Sequence, residues 1–283
     1  MNDRAVSGST ERLLGLFEGV RLTPTQRRIA HCLVQHSPTV AYLSAAEVAE
    51  LAGVSQPSVT RFATALGHDG YPALRRRLRE LTAGAPDGPT EVGNELQQAV
   101  RTEMDNLGRL AGQLADRSRI AEAGSLLAAS RPLPVLGLRA AAPLAAYFAY
   151  FAAKVHPDVR VLDTAGSLLT DRVEQAAGAG AGALLAFVLP RYPRETLDVL
   201  REAREAGLRI VAITDSPVSP ATEHADLVLP AAVGTGLVFD LHTAPMTMAM
   251  VLLQALCDAA PVDTQRRLEA FEVSAARRQV FVS

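Results

Sequence analysis

Apolar positions change their spacing partway along the chain, and that change divides it. Up to about residue 82 they recur three and four residues apart, as on helix faces; from Leu133 onward they gather into short runs separated by helical stretches. In the first part a short helix is expected from Thr10 to Glu18. A second begins at Thr23, Pro24 and Gln26 (cap, first-turn proline and box partner), buries Ile29 and Leu33, and closes at Pro38. Ser44 with Glu47 starts a third, with Val48, Leu51 and Ala52 on its apolar face, and Gly53 takes the left-handed conformation that ends it. Ser55 is expected to cap the fourth, with Pro57 in its first turn and Val59, Phe62, Ala63 and Leu66 as its buried stripe. After a turn at Gly67 and Gly70, a fifth helix carries Arg75, Arg76, Arg77 and Arg79.

Two short helices joined by a tight turn make a helix-turn-helix over residues 44–66. Its second helix leaves Gln56, Ser58, Thr60, Arg61 and Thr64 facing outward, with Ser55 at its start. Hydroxyls, an amide and a guanidinium on exposed first turns suit phosphate oxygens and base edges in a major groove. An ordinary helical hairpin with a polar face is the competing account. Arg75 and Arg76, a solvated face in isolation, become candidate phosphate contacts beside such a unit.

The stretch 83–91, AGAPDGPTE, is rich in Gly, Pro and Ala and reads as a linker. The sequence therefore predicts a helix-turn-helix domain over 1–82 and a second domain over 92–283. The latter opens with helices near 92–114 and 120–129. Runs LPVLGL, VRVLD, GALLAFVL, LRIVAIT and DLVLP then alternate with helices near 143–154, 167–177, 194–206 and 241–259. This alternation predicts an α/β domain whose five-stranded parallel sheet is covered by helices on both faces. In such a sheet a ligand sits at the C-terminal strand ends, where the winding reverses.

Charge supports the division modestly. Residues 1–82 hold 10 Arg against 7 acidic residues, a net of +3, which leaves −5 of the chain's formal −2 to the remainder. A hydrophobic content of 48% with 20% charged residues excludes a disordered chain. Cys32 and Cys257 lie far apart in apolar helical patterns, so buried thiols are expected and neither a disulfide nor a metal site. The N-terminus lacks the apolar core of a signal peptide, and the run Ala244–Leu256 is too short to span a bilayer. A cytoplasmic protein with no membrane partner and no cofactor is expected.

The blocks LTPTQRRIA, LSAAEVAELAGVSQPSVTRFATALG and GYPALRRRLRE, followed by PRYPRETLDVLREAREAGLRIVAITDSPVSPATEHADLVL, resemble the RpiR-type transcriptional regulators over nearly the whole chain. The resemblance implies a DNA-binding head and a sugar isomerase (SIS) domain with flavodoxin-like winding. It also implies a double-stranded operator arranged as an inverted repeat, a sugar-phosphate effector and a homodimer or homotetramer.

The chain departs from the family at the phosphate cradle. The first loop of the family reads Gly-x-Gly-x-Ser; here it is Gly137, Leu138, Arg139, Ala140 and Ala141. The second loop, Val188 to Pro193, has no hydroxyl where the family places serines, so these are missing at Ala141, Val188 and Pro193. Arg191 and Tyr192 stand there instead, while Thr214, Asp215, Ser216 and Ser219 keep the next strand end. Three accounts stay open. Arg139 and Arg191 replace the serines, the effector is unphosphorylated or an acid, or the domain has lost its ligand and only dimerises. A surface salt bridge is the ordinary reading of either arginine. For an isomerase, the alternative activity, His242 is the candidate base, with Glu223 and His224 behind it; a lone histidine at a helix start is more often a capping residue.

Overall fold

Both start signals of the helical region close as reciprocal hydrogen bonds in the computed structural model. The Thr23 amide donates to Gln26 Oε1 at 2.8 Å and the Gln26 amide to Thr23 Oγ1 at 3.3 Å. Ser44 and Glu47 repeat the exchange at 2.7 and 3.3 Å. The described residues are 12–17, 20–36, 40, 43–82, 94–234 and 237–281. The expected linker at 83–91 and the helix stop at Pro38 lie outside them. The chain forms two compact units, one of residues 1–98 with 218–220 and the other of residues 99–217 with 221–283.

In the first unit a helical turn at 12–15 precedes α1 (Pro24–Gln35), α2 (Ala45–Leu51), α3 (Gln56–Ala65) and α4 (Tyr71–Thr82). Ile29, Leu33, Val48, Val59, Phe62, Leu74 and Leu78 are fully buried between them. Full burial of one ring such as Phe62 contributes roughly 1.5–3 kcal/mol of transfer free energy. Gly53 ends α2 at φ +61°, a conformation that costs a side chain but not glycine. Tyr71 ties α4 to the entry of α2, its hydroxyl donating to the Leu43 carbonyl at 3.0 Å. Burial pushes that phenol's pKa up to about 12. Two expectations fail here. Leu51 is 51% exposed, and Ala49 takes the buried place beside Val48, because α2 turns its Val48, Ala49 and Ala52 side to the core and leaves Leu51 beyond the edge of that side. Ser55 stands at the N-cap of α3, but its hydroxyl makes no capping bond to the helix backbone.

The second unit contains most of α5 (Glu95–Gln113), then α6 (Ser118–Ala129), β1 (Leu133–Gly137), α7 (Ala142–Val155), β2 (Val159–Leu162), α8 (Ser167–Gly178), β3 (Ala183–Val188), α9 (Arg194–Glu205), β4 (Arg209–Thr214), β5 (Leu227–Pro230), α10 (Thr243–Ala259) and α11 (Pro261–Arg277). All strand pairs are parallel, in the order β2-β1-β3-β4-β5. The side chains of β3 show how the sheet is clad. Ala183, Leu185 and Phe187 enter one core with α6, α7 and α10, while Leu184, Ala186 and Val188 enter another with α8 and α9. Helix α11 is not among the expected elements; only Thr264 and Ala275 of its residues are buried, which left no clear apolar stripe to read.

Two glycines set close approaches. A Cβ on Gly124 of α6 would lie 2.5 Å from the Ala255 carbonyl carbon of α10. One on Gly137 would lie 2.6 Å from the Ala141 carbonyl oxygen and 2.7 Å from Ala145 Cβ. Gly137, expected in the effector site, is also a packing position beneath α7. Cys32 is buried as expected, whereas Cys257 is half-buried. Among the described residues no single helix is long and apolar enough to cross a membrane.

Candidate DNA-reading surface and effector crevice

Helix α3 presents its polar residues as a connected set. Ser55 Oγ and Ser58 Oγ are 2.8 Å apart, and Arg61 Nη2 donates to Ser58 Oγ at 3.2 Å. Two hydroxyls therefore hold the Arg61 guanidinium against the outer face of the helix. The Ser55 hydroxyl is thus turned toward Ser58 and away from the helix amides. Gln56, Thr60, Arg61 and Thr64 are exposed and Ser58 half-buried; Thr64 also bonds the Thr60 carbonyl at 3.3 Å. On α4, Arg76 is exposed, Arg75 half-buried, and Arg77 is paired with Glu80 at 3.0 Å. Hydroxyls, amide and Arg61 share one outward surface behind which Val59, Phe62 and Ala63 anchor the helix.

In the second unit the winding reverses between β1 and β3. From β1 the chain goes outward to β2, then returns to β3 on the other side. Beyond β1 comes Arg139, and beyond β3 comes Arg191. Both are exposed, at φ +53° and +62°; apart from glycine, Gln279 alone shares positive φ among the described residues. Side chains rarely adopt this conformation, and it costs of order 1–3 kcal/mol when they do. At Arg139 the backbone keeps the shape that a glycine would supply. Neither arginine is in an ion pair among the described residues, so the salt-bridge reading lacks a partner here.

The next strand end is occupied. Tyr192 Oη lies 2.8 and 2.9 Å from the two Asp215 carboxylate oxygens, and Thr214 Oγ1 donates to Oδ1 at 3.2 Å. Burial pushes both the Tyr192 and the Asp215 pKa up, against the lowering effect of these hydrogen bonds on Asp215. Thr214, Ser216 and Ser219 are buried. The hydroxyls read as surviving cradle residues are thus withdrawn from the surface, and Tyr192, expected in the site, is joined to Asp215.

The candidate base does not form a constellation. His242 is the residue before α10 and half-buried. Glu223 and His224 precede β5, where Asp226 receives the Ile210 amide at 2.8 Å; Ile210 is near the start of β4, so this is the opposite rim of the sheet from the strand ends.

A residue not singled out in the sequence is Glu103 of α5. It is buried, accepts from Asn106 Nδ2 at 2.7 Å and receives the Thr243 amide, in the first turn of α10, at 3.2 Å. A carboxylate among the apolar positions of α5 was the available signal.

A helix-turn-helix unit with an outward guanidinium, joined to a parallel α/β unit with a switch point between β1 and β3, defines a two-part DNA-binding regulator. The model described as the helix-turn-helix domain of the rpiR family matches residues 18–84, and the SIS domain model matches residues 126–260. The chain belongs to the RpiR family of helix-turn-helix transcriptional regulators with a SIS domain. It is 29% identical over 264 residues to the HTH-type transcriptional regulator HexR of Pseudomonas aeruginosa, covering 87% of this chain and 86% of that one. It is 27% identical to the HTH-type transcriptional regulator YfhH of Escherichia coli, covering 68% and 71%. Among solved structures, the Vibrio vulnificus NanR protein complexed with ManNAc-6P aligns over 97% of this chain and 100% of its own, with a TM-score of 0.57 at 16% identity. The sugar isomerase domain of an RpiR transcription factor from Sphaerobacter thermophilus aligns over 62% and 96%, with a TM-score of 0.55 at 22% identity.

Proposed function

We propose that the 92–283 domain senses an anionic metabolite between the ends of β1 and β3, with Arg139 and Arg191 as its anchors, and that occupancy alters operator binding by the 1–82 head. The observation that carries this reading is the pair of arginines. Each follows one of the two strands at the switch point, each is exposed, and each holds a backbone conformation that side chains avoid. Strain of this kind gathers at ligand sites. A guanidinium forks onto a phosphate or carboxylate with two parallel hydrogen bonds, which offers a replacement for absent hydroxyls. NanR, of the same fold, holds a phosphorylated sugar.

In the head, Ser55, Gln56, Ser58, Thr60, Arg61 and Thr64 face the major groove and Arg75 and Arg76 the phosphates. Paired heads place recognition helices on half-sites about 34 Å apart, so a small change in their spacing changes affinity. The ligand alters DNA affinity only as far as it binds the two spacings differently.

The test is a thermal-shift screen of the full chain against sugar phosphates, free sugars and small organic acids, repeated on Arg139→Ala and Arg191→Ala. A ligand at a hundredfold its Kd adds about 2.7 kcal/mol and is readily seen. The expected hit is an anion whose shift both variants abolish. A neutral sugar as the sole hit, or a shift that survives both variants, overturns the assignment of the arginines. Turnover of a sugar phosphate would overturn the regulator-only reading.

A further inference from the structure

A cleft of about 330 Å³ opens at the end of β5, between the start of α6 and α10. In the strand order it lies two places past β3, roughly 10 Å along the sheet from that strand, and so away from the switch point. Its apolar wall is Leu114, Ile120, Leu229 and Met248. Ile120, Leu229 and Met248 are buried, and Leu114 packs against the same core.

The mouth of the cleft is polar and carries both signs of charge. Arg119 is exposed, and its Nη1 donates to the Val228 carbonyl of β5 at 3.4 Å. Asp116 is exposed as well, and its Oδ1 receives the Ser118 amide at 2.9 Å. Hydrogen bonds from Ser118 hold the Asp116 pKa below its ordinary value, so this carboxylate is charged at neutral pH. Three residues separate the two charges. At that spacing Arg77 and Glu80, Asp198 and Arg201, and Asp263 and Arg266 all close into ion pairs. Asp116 and Arg119 form none among the described residues, because one is drawn to the start of α6 and the other to β5.

We propose that this cleft binds a free α-amino acid with a branched aliphatic side chain. Its carboxylate meets the Arg119 guanidinium, its ammonium the Asp116 carboxylate, and its side chain the wall of Ile120, Leu229 and Met248. An apolar wall beneath a cation and an anion that do not neutralise each other is the complement of a zwitterion with an apolar tail. A simple acid would leave Asp116 facing a like charge, and a simple amine would do the same to Arg119. The guanidinium grips a carboxylate through two parallel hydrogen bonds. Size agrees. Ligand clefts run from about 300 to 1,000 Å³ and are mostly apolar with a few placed polar groups, and this one stands at the small end. The start of α6 is not itself the receptor, since its Ser118 amide is committed to Asp116. None of the lining residues belongs to the connections after β1 and β3, so the cleft gives the domain a second input.

The experiment is a saturation-transfer NMR titration of the full chain with three probes. These are L-leucine, isocaproate (leucine without its ammonium) and isoamylamine (leucine without its carboxylate). L-Leucine should give a saturable signal, and each truncated probe should bind at least tenfold more weakly. Arg119→Ala and Asp116→Asn should each weaken leucine binding at least tenfold. Both positions are exposed, and asparagine keeps an acceptor for the Ser118 amide, so circular dichroism melts should stay near wild type. Arg139→Ala and Arg191→Ala should leave leucine binding unchanged, which separates this cleft from the switch point whatever the effector there proves to be. The absence of a saturable leucine signal, equal binding by either truncated probe, a signal that survives both cleft variants, or one lost in Arg139→Ala would each overturn the proposal.

Discussion

The Tyr192 phenol bridges both carboxylate oxygens of Asp215, at 2.8 and 2.9 Å, across the ends of β3 and β4. Burial raises the Asp215 pKa above its ordinary value, and the nearby Asp240 charge adds to the rise. The folded chain therefore holds that proton more tightly than the unfolded chain. This contribution is intact at acid pH and is lost as pH climbs from about 4 through the raised pKa. Asp215→Asn should flatten that fall in a Tm-against-pH series. Tyr192→Phe leaves the carboxylate short of a donor and should cost about 1–3 kcal/mol at neutral pH, with a smaller loss in acid. Equal losses at both pH values would separate Tyr192 from the ionisation of Asp215.

Arg139 and Arg191 make an opposite kind of prediction. Their positive φ values suit glycine, so Arg139→Gly and Arg191→Gly relieve strain while removing the guanidinium. Each should raise stability by up to about 1 kcal/mol, or roughly 2–4 °C in Tm for a unit of this size. Each should also abolish the thermal shift given by an anionic ligand. A stabilised variant that still responds to the ligand would leave the strain without a function.

How much of this was legible in the sequence depends on how local the cause is. The exchanges Thr23–Gln26 and Ser44–Glu47 lie within one helical turn, so spacing alone revealed them. The β3 run ALLAFV declared a strand covered on both faces because every one of its positions is apolar. Leu51 and Ser55 misled for related reasons. Leu51 has helical spacing from Val48 but lies on the side of it away from Ala49 and Ala52, which face the core, and the Ser55 hydroxyl meets Ser58 rather than an amide. Gly137 resembles a phosphate-loop glycine, yet its constraint comes from Ala141 and Ala145 folding back over it, which only coordinates show. The separation of His242 from Glu223 and His224 likewise depends on which rim of the sheet each connection reaches.

Gly124 is the most exacting contact of the second unit's helix layer. An added methyl would fall 2.5 Å from backbone of α10 at Ala255, and backbone cannot step aside as a side chain can. Gly124→Ala improves helix propensity by about 1 kcal/mol, so a net loss can come only from the clash. Overpacking of this kind costs about 1–3 kcal/mol, and the expected result is a lower denaturation midpoint with an unchanged m-value. A midpoint equal to or above wild type would mean that α6 and α10 separate at little cost.

Arg61 offers the sharpest test of the head, because the structure suggests two distinguishable roles. Ser58, itself held by Ser55, receives its guanidinium at 3.2 Å and limits where the fork can point. A fork so held suits bidentate contact with a base edge, where removal costs about 1–3 kcal/mol and relaxes preference at one position of the operator. A phosphate contact would instead weaken all sequences alike and lower the salt slope by about one. Titrations of Arg61→Ala against the operator, single-base variants and nonspecific duplex, each at several salt concentrations, separate these outcomes. We expect loss confined to one base position, with Ser58→Ala showing a smaller loss of the same pattern because it frees the fork without removing it. Unchanged affinity in Arg61→Ala would take Arg61 off the reading face, and the burden of recognition would then pass to Gln56 and Thr60.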